Sequence, residues 1–334
     1  MSLNSSSWAR LVQGVSALPR TMDRGVGVLG RALTARPQIV RGRRGIARVA
    51  VLTFIDEEAR AVRDAFDLPR QIPGSGYVTS VDDGLAVVTM KTADKTNLGV
   101  TNGVSRLIED LQPELVIVAG IAGGIRDSHR DEVEPGDVVL ADYLHYTEYM
   151  KYSDEAGEQV KYIAMDQPSV RHRETYADPV RLAEQWQVGI REARPGPGDT
   201  RVYPGSLIAG EKLLGDPTNP KQKEILERYP DALAVDMESA GVGRAIHESR
   251  FDVRYNPAFL VIRGISDLSR VEPAPEPAEG TILVTNQSER DLWGPYAAAA
   301  AAALALAVAS AALDSPDLRQ STRRADRAIR RRER

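Results

Sequence analysis

Acidic and glycine-rich clusters directly follow four apolar segments that have the pattern of β-strands. They are Asp56-Glu57-Glu58 after residues 46–53, residues 120–124 after 114–119, Asp236-Met237-Glu238 after 232–235, and Ser266-Asp267 after 258–263. Taken singly, an acid after a strand is more often a helix N-cap, and a glycine run is more often a tight turn. All four along one chain favour a shared site, because ligands of open α/β sheets bind at the carboxyl ends of the strands. Carboxyl groups there could transfer protons.

The elements that must position these clusters alternate between strand and helix patterns. Helices are predicted over residues 56–66, 97–111, 221–228 and 237–248, and strands over residues 46–53, 85–91, 114–119, 137–141, 202–209, 232–235 and 258–263. Most strands are continuous apolar runs, which is typical of parallel strands covered on both faces. The pattern predicts an α/β fold with a mixed, mainly parallel central sheet flanked by helices. Because no clean linker interrupts residues 46–313, we expect one domain there.

Several segments have weaker patterns. Residues 1–45 carry eight arginines and one acid, which indicates a flexible basic arm or a transit-like segment. The Arg-rich tail, residues 314–334, is expected to be a fraying helix end or a basic tail. Residues 151–200 are predicted to form loops and one short helix, and residues 271–290 a surface loop. The uncharged, alanine-rich residues 295–313 favour a buried last helix over a membrane span.

The composition excludes several kinds of chemistry. There is no cysteine, so the chain has no disulfide, thiolate nucleophile or cysteine-based metal site. Four histidines without the spacing of a zinc motif give no metal site either, and we expect no cofactor. A net charge of -4 gives no general case for a nucleic-acid or membrane partner.

The clusters and their order resemble a known family over about residues 46–313. The chain is similar to the nucleoside phosphorylase and nucleosidase superfamily, and most of all to methylthioadenosine/S-adenosylhomocysteine nucleosidases and related nucleosidase domains of bacterial defence systems. The matching stretches are VAVLTFIDEEARAVR at 49–63, VAGIAGG at 118–124, GDVVLAD at 136–142, AGEK at 209–212, LAVDMESA at 233–240, VIRGISD at 261–267 and WGPYAAAAAAA at 293–303. The resemblance implies a nucleoside phosphorylase-like fold.

The resemblance assigns roles on the side of the leaving base and the sugar. Breaking a C–N glycosidic bond leaves an electron-rich base, so the base must be protonated as it departs. Asp267, beside Ser266, matches the family acid that protonates purine N7, and burial would help it to hold that proton. Glu238 matches the residue that binds the ribose hydroxyls, with Met237 packed against the sugar. Asp236 stands where close relatives often have a second glutamate.

The resemblance also bears on the nucleophile. Phosphorylases of the superfamily place an arginine in the first turn, whereas Glu58 here matches the nucleosidase carboxylate that activates water. A carboxylate repels phosphate, by on the order of 1–4 kcal/mol at 4 Å, and can accept a proton from water. Arg263 is expected to hold that water or to be the remnant of a phosphate site. Hydrolysis is therefore favoured over phosphorolysis.

Two positions, Ile121 and Leu213, depart from the family pattern. Gly120 and Ile121 are expected to contact the substrate, but Ile121 replaces a small hydroxyl residue, which removes one phosphate contact. Leu213 falls near the aromatic residue that stacks on the base in adenine-specific nucleosidases. Lys212 could neutralise a 5′-phosphate, or be an ordinary surface lysine.

The predicted function is hydrolysis of the N-glycosidic bond of a purine nucleoside or nucleotide. A phosphate-dependent phosphorylase and a catalytically weak nucleotide sensor on the same fold are the alternatives. The expected partner is a small-molecule purine nucleoside or nucleotide, without nucleic acid or membrane. The resemblance also implies a homodimer or higher homo-oligomer, and we expect a cytoplasmic location.

Overall fold

A computed structural model describes residues 48–68, 77–79, 87–92, 96–127, 129–130, 132–153, 157–169, 186–252, 257–272 and 285–314. Its strands are β1 (Val49–Thr53), β2 (Tyr77–Thr79), β3 (Val87–Lys91), β4 (Leu115–Arg126), β5 (Val138–Tyr146), β6 (Met150–Ser153), β7 (Gly157–Val160), β8 (Val202–Ala209), β9 (Ala232–Asp236) and β10 (Ala258–Arg270). Its helices are α1 (Asp56–Ala65), α2 (Asn97–Leu111), α3 (Pro220–Arg228), α4 (Ser239–Asp252) and α5 (Asn286–Asp314), with a short 3₁₀ helix at Trp186–Gly189. The basic arm and nearly all of the Arg-rich tail lie outside the described residues.

Eight strands form one mixed sheet in the order β10-β5-β8-β9-β4-β1-β3-β2. Five of the pairings are parallel, and those of β10 with β5, β4 with β9, and β2 with β3 are antiparallel. The prediction of a mixed, mainly parallel sheet flanked by helices is therefore confirmed. However, β10 also pairs with β4, so that β10, β5, β8, β9 and β4 close into a five-strand ring. The sequence pattern did not predict this closure, because it depends on long-range pairing.

Apolar helix faces cover both sides of the sheet. On one side, α2 and α4 pack through residues such as Val104, Leu107 and Ile246. On the other side, α1 and α5 contribute Val62 and a run of buried alanines. Local capping supports these helices: the Thr96 hydroxyl accepts a hydrogen bond from Gly99 N at the start of α2. The core is thus divided into two apolar layers, with the sheet between them.

Helix α5 packs unusually close to the sheet because its contacting residues are small. A Cβ at Gly264 of β10 would overlap the backbone carbonyl of Ala297. In the described part of the chain, α5 is the one helix long and apolar enough to cross a membrane, and 72% of its most apolar window is buried inside the protein. The predicted burial of this alanine-rich segment is confirmed.

Three strands run further than the sequence pattern predicted, and one of them is β5, which continues past Ala141 to Tyr146. The apolar pattern predicts a strand that ends at residue 119, before a glycine-rich segment typical of a turn, but β4 continues through this segment to Arg126. In the same way, β10 continues past Arg263 to Arg270. The predicted ends of β4 and β10 were wrong because the two extensions pair with each other as neighbouring strands, which apolar periodicity does not reveal.

Three other element boundaries differ from the predictions. Helix α4 begins at Ser239, so Met237 and Glu238 lie in the connection before it. Helix α5 begins at Asn286, nine residues before the Pro295 start that was predicted, and it contains that proline. Within residues 151–200, the structure adds a β6–β7 hairpin to the expected loops and short helix. In each case, contacts made in the folded chain determine where the element lies, and they override the local sequence propensity.

Candidate active site

A cavity of about 440 Å³ opens where β4, β9 and β10 meet the turn before α1, and we call it the site cavity. It is lined by Ile55, Glu58, Ile121, Ala122, Gly123, Lys212, Leu213, Leu214, Val235, Asp236, Met237, Glu238, Ser266, Asp267, Ser269, Gln287 and Arg290. Nine of the eleven predicted site residues are among them. The other two, Arg263 and Gly120, lie against these lining residues. The four clusters that are far apart in sequence therefore converge on one space.

Glu58 is a buried carboxylate held by the backbone. Its Oε2 accepts hydrogen bonds from Phe54 N at 2.7 Å and Ile55 N at 3.1 Å, both in the turn that starts α1. Its Oε1 accepts one from Ile121 N of β4 at 2.9 Å. Because these donors come from two different elements, the carboxylate is fixed in position and its charge is compensated by amide dipoles. It faces the site cavity with only 3% of the residue exposed.

Arg263 is completely buried beneath the site cavity and joins its carboxylates. Its Nε donates to Asp236 Oδ2 at 2.9 Å, and its Nη2 donates to Glu238 Oε2 at 3.1 Å and lies 2.7 Å from Asp236 Oδ2 in an ion pair. Its guanidinium lies 5.0 Å from the centre of the Phe54 ring. Burial alone would lower the pKa of Arg263, but Asp236, Glu238 and Glu58 outweigh it and raise that pKa. The charge is therefore permanent.

One nitrogen of this guanidinium is available. Arg263 Nη1 has no hydrogen-bond partner among the described residues, and it lies 3.8 Å from Glu58 Oε1. A buried donor without a partner is rare and costs free energy unless something else accepts its hydrogen bond. A small polar molecule between Nη1 and Glu58 would satisfy both groups.

Gly120 of β4 makes this pairing possible. A Cβ at this position would overlap Glu58 Oε1 and would lie 2.6 Å from Arg263 Nη1. Only glycine leaves room for both side chains. Next to it, Ile121 directs its side chain to Ala297 and Ala298 of α5, while its amide binds Glu58.

The connection between β9 and α4 holds the remaining acids. Asp236 accepts Ser239 N at 3.2 Å and the Ser239 hydroxyl in addition to Arg263, so both of its oxygens bind protein groups. Glu238 is less constrained. Burial raises the pKa of Glu238 to about 8, with Arg263 acting against the shift and Asp236 and Glu58 adding to it. Near neutral pH this carboxyl therefore retains its proton in most molecules.

Asp267 is presented by a β-bulge. Ser266 is an extra residue in β10 opposite β4, so the register shifts between Ile265 and Asp267 and the usual alternation of side chains is reversed. The Oδ1 atom of Asp267 accepts a hydrogen bond from the Ser266 hydroxyl, and its Oδ2 atom accepts one from Asn286 Nδ2. Burial raises the pKa of Asp267, and these two hydrogen bonds offset only part of the shift. Asp267 lies within the strand, and not after it as predicted.

Two contacts of the helix α5 were missed by the sequence reasoning. Asn286 binds Asp267, and Glu289 accepts from Leu268 N at 2.9 Å. The signal that could have located them is the reciprocal cap of Thr285 and Ser288, in which each backbone N–H donates to the other's hydroxyl, at 2.9 and 3.1 Å. A threonine followed three residues later by a polar side chain marks a helix start.

The rim of the site cavity carries two cations. Lys212 forms an ion pair with Glu148, so a ligand anion would compete with that carboxylate. Arg290 of α5 forms no ion pair within the described part of the chain. Leu213 is 71% exposed and gives the rim an apolar edge. The predicted roles of Lys212 and Leu213 stay predictions.

Comparison with known proteins shows the family of the chain that forms this ring and cavity. Residues 48–310 match the sequence profile of the phosphorylase superfamily. The chain therefore belongs to the phosphorylase superfamily.

Within that superfamily, curated relatives of the chain share one name. The 5′-methylthioadenosine/S-adenosylhomocysteine nucleosidases of Bacillus cytotoxicus and Chromohalobacter salexigens are 27% and 28% identical over 230 residues, which is 67% of this chain and 87% and 86% of theirs. Among solved structures, the Neisseria meningitidis nucleosidase with methylthio-immucillin-A has a TM-score of 0.57 at 17% identity, covering 79% of this chain and 98% of its own. The futalosine hydrolase of Helicobacter pylori gives 0.55 at 16%, with the same coverage. The solved structures share the fold.

Proposed function

We propose that this protein hydrolyses the N-glycosidic bond of a purine nucleoside and releases the free base. The observation that carries the proposal is the pair of buried groups at the floor of the site cavity. Arg263 Nη1, which has no hydrogen-bond partner in the described part of the chain, lies 3.8 Å from the fixed Glu58 carboxylate. Together they form a site for one water molecule, which donates a hydrogen bond to Glu58 and accepts one from Arg263. The names of the curated relatives support the same reaction.

In the proposed reaction, the water oxygen forms a bond to C1′ of the ribose as the C1′–N9 bond breaks. The electrons of that bond move into the purine ring, and N7 takes the proton of Asp267. The proton that the water loses goes to Glu58. The products are a ribose with a free C1′ hydroxyl and the free base, and proton exchange with solvent restores both carboxyl groups. The raised pKa of Asp267 suits an acid that must arrive protonated.

The sugar would lie over Glu238 and Met237, between these two reacting ends. Glu238 lines the cavity beside Arg263, where its oxygens can bind ribose hydroxyls. The Glu58 carboxylate also stabilises the positive charge that develops at C1′ in the transition state. Arg263 already donates hydrogen bonds to Asp236 and Glu238, so its guanidinium would bind a phosphate ion only weakly. This favours water over phosphate as the nucleophile.

A substrate panel tests the proposal. Purified protein is incubated with adenosine, methylthioadenosine or AMP, with and without inorganic phosphate, and the free base and the sugar product are measured. We expect base release at the same rate without phosphate, with free ribose or its 5′-derivative as the second product. Strict dependence on phosphate, with ribose 1-phosphate formed, would overturn hydrolysis.

An Asp267→Asn variant distinguishes catalysis from simple ligand binding on the same fold. It should lose most base release while it retains affinity for the substrate, since the amide cannot donate the carboxyl proton. The panel also decides between a nucleoside and a 5′-phosphorylated substrate. The homo-oligomeric state and cytoplasmic location remain predictions.

A further inference from the structure

Helix α5 reaches the reacting carboxyl group through its first residue, and we propose that Asn286 is a positioning residue that controls proton delivery by Asp267. This inference rests on the proposed function and assigns a role to a side chain outside the site cavity. Asn286 lies behind Asp267, 19 residues further along the chain. It is the only side chain apart from Ser266 that hydrogen-bonds the Asp267 carboxyl group in the described part of the chain.

The orientation of the Asn286 amide is set by its neighbours. Its Nδ2 donates to Asp267 Oδ2 and also lies 3.4 Å from the carbonyl oxygen of Leu268. A backbone carbonyl can only accept, so the nitrogen of the amide must face this side. Asn286 can therefore only donate to Asp267 in this orientation. A donor at Oδ2 stabilises the carboxylate that remains after the proton has left.

The same helical turn is fixed to β10 at a second point. Glu289 accepts a hydrogen bond from Leu268 N at 2.9 Å and pairs with Arg270 at 2.6 Å. Contacts of α5 thus hold Asp267 and the residues that follow it in β10, and Asn286 is placed by this clamp rather than by a free helix end. Only 8% of Glu289 is exposed, which adds to the rigidity of this clamp.

Two donors then act on Asp267 with different geometry. Ser266 is its chain neighbour and moves with it, whereas Asn286 belongs to another element and holds the carboxyl plane in relation to the cavity. Without Asn286, the Asp267 carboxyl group would no longer be oriented by a residue of another element, and it would hold its proton more tightly. Both changes slow protonation of the leaving base. Neither should affect a leaving group that needs no proton.

The test compares Asn286→Ala with the wild-type protein on two substrates. One is the purine nucleoside that the panel identifies, and the other is 4-nitrophenyl β-D-ribofuranoside, whose nitrophenolate leaves without a proton. On the purine nucleoside we expect kcat to fall about 10- to 100-fold, part of the 10²–10⁴ that general acid catalysis typically provides. On the nitrophenyl riboside the two proteins should agree within about threefold, because the acid is not needed there.

The pH profile provides an independent readout. The hydrogen bond from Asn286 lowers the pKa of Asp267, so its removal raises that pKa further. The alkaline limb of kcat/KM for the purine substrate should therefore move to higher pH in Asn286→Ala. An unmoved limb with an equal loss on both substrates would indicate a structural role and overturn the inference, as would unchanged kinetics.

Two further variants keep the test decisive. Asn286→Asp preserves the shape of the side chain and replaces the donor with a second carboxyl group, so the alkaline limb should also move upward even if the alanine variant folds poorly. Asn219→Ala is the matched control, because Asn219 caps the start of α3 away from the site cavity. It should leave both substrates unaffected. If the wild-type protein releases no base from any purine substrate, the proposed function fails, whereas normal wild-type turnover with unaltered Asn286 variants refutes this inference alone.

Discussion

Glu238 illustrates how the surroundings of one residue alter its charge. Its carboxyl group is buried beside Asp236 and Glu58, which raises its pKa to about 8 although Arg263 and the Met237 backbone N–H oppose the shift. An unfolded glutamate releases its proton near pH 4.5. Between these two values the folded protein holds a proton that the unfolded chain does not. The free energy of unfolding therefore falls as the pH rises through this window, and the contribution of Glu238 is fully present only below it.

This residue gives a prediction about stability and pH. The side chain of Glu238→Gln cannot ionise. The Tm of this variant minus the Tm of the wild-type protein should therefore increase between about pH 4.5 and pH 8 and stay constant above pH 8. Each kcal/mol corresponds to roughly 2–4 °C in Tm. The measurement is thermal unfolding followed by circular dichroism at pH 5, 6, 7, 8 and 9. Glu248→Gln on the surface of α4 is the control and should show no such gain. A constant difference across the series would mean that Glu238 titrates normally.

Among single residues, the ones that sequence reasoning could name were those with reactive side chains near strand ends. Glu58, Glu238 and Asp267 all line the site cavity. Asn286 could not be named in this way, because an asparagine at a helix start is usually a cap and its contact with Asp267 is made across the fold. The pairing of Arg263 with two acids was likewise invisible, since it depends on the connection between β9 and α4.

At the scale of elements, the contact between α5 and β10 determines how the site is closed. Gly264 lies directly under the Ala297 backbone, so that even one methyl group would have to displace the helix. The start of the same helix bears Asn286 and Glu289, which bind the end of β10. A shift of α5 should therefore disturb Asp267, although Gly264 itself does not line the site cavity.

This contact gives a prediction about Gly264→Ala. We expect a loss of stability of about 1–3 kcal/mol from overpacking, together with a lower kcat because α5 moves away from Asp267. Chemical denaturation and steady-state kinetics measure the two effects. Gly189→Ala is the matched control, since a Cβ there would lie at an ordinary 3.6 Å from Ala303 Cβ. Equal behaviour of the two variants would contradict tight packing at Gly264.

Element existence was largely predictable, whereas element ends were not. Helix α2 has the bounds that its apolar period indicates, because its own sequence contains the period and the Thr96 cap. The ends of β4 and β10 follow from their pairing with each other, and glycines at 120, 123 and 124 look like turn residues when they are seen alone. The bulge at Ser266 belongs to the same class, because it exists only relative to a partner strand.

At the scale of the whole molecule, closure of the five-strand ring is the feature that no local pattern indicates. Strand β4 is paired with β1, β9 and β10, and β10 is paired with β4 and β5. The site cavity is thus framed by strands that have neighbours on both edges. Among the described residues, strand β2 in contrast pairs with β3 alone, at the end of the sheet.

Ring closure gives a prediction about hydrogen exchange. Amides of residues 115–119 and 258–263 should exchange only on nearly global unfolding, with opening free energies towards the roughly 5–15 kcal/mol typical of whole domains. Amides of β2 should open at distinctly lower free energy. Native-state exchange followed by mass spectrometry or NMR measures both. Equal protection in β2 and in the ring strands would show that the ring is not the most stable unit.

Gly120 carries a consequence for how such a protein would be mapped by mutation. It has no side chain and does not line the site cavity, yet a Cβ at this position would overlap Glu58 Oε1 and lie 2.6 Å from Arg263 Nη1. In a saturation mutagenesis screen scored by activity, every replacement at this position would rank beside replacements of Glu58 itself. Essentiality in such a screen reports the space that a residue leaves free as faithfully as the chemistry that it performs. A mutational map based on loss of function alone would therefore class Gly120 with the catalytic residues, although its role is to leave space.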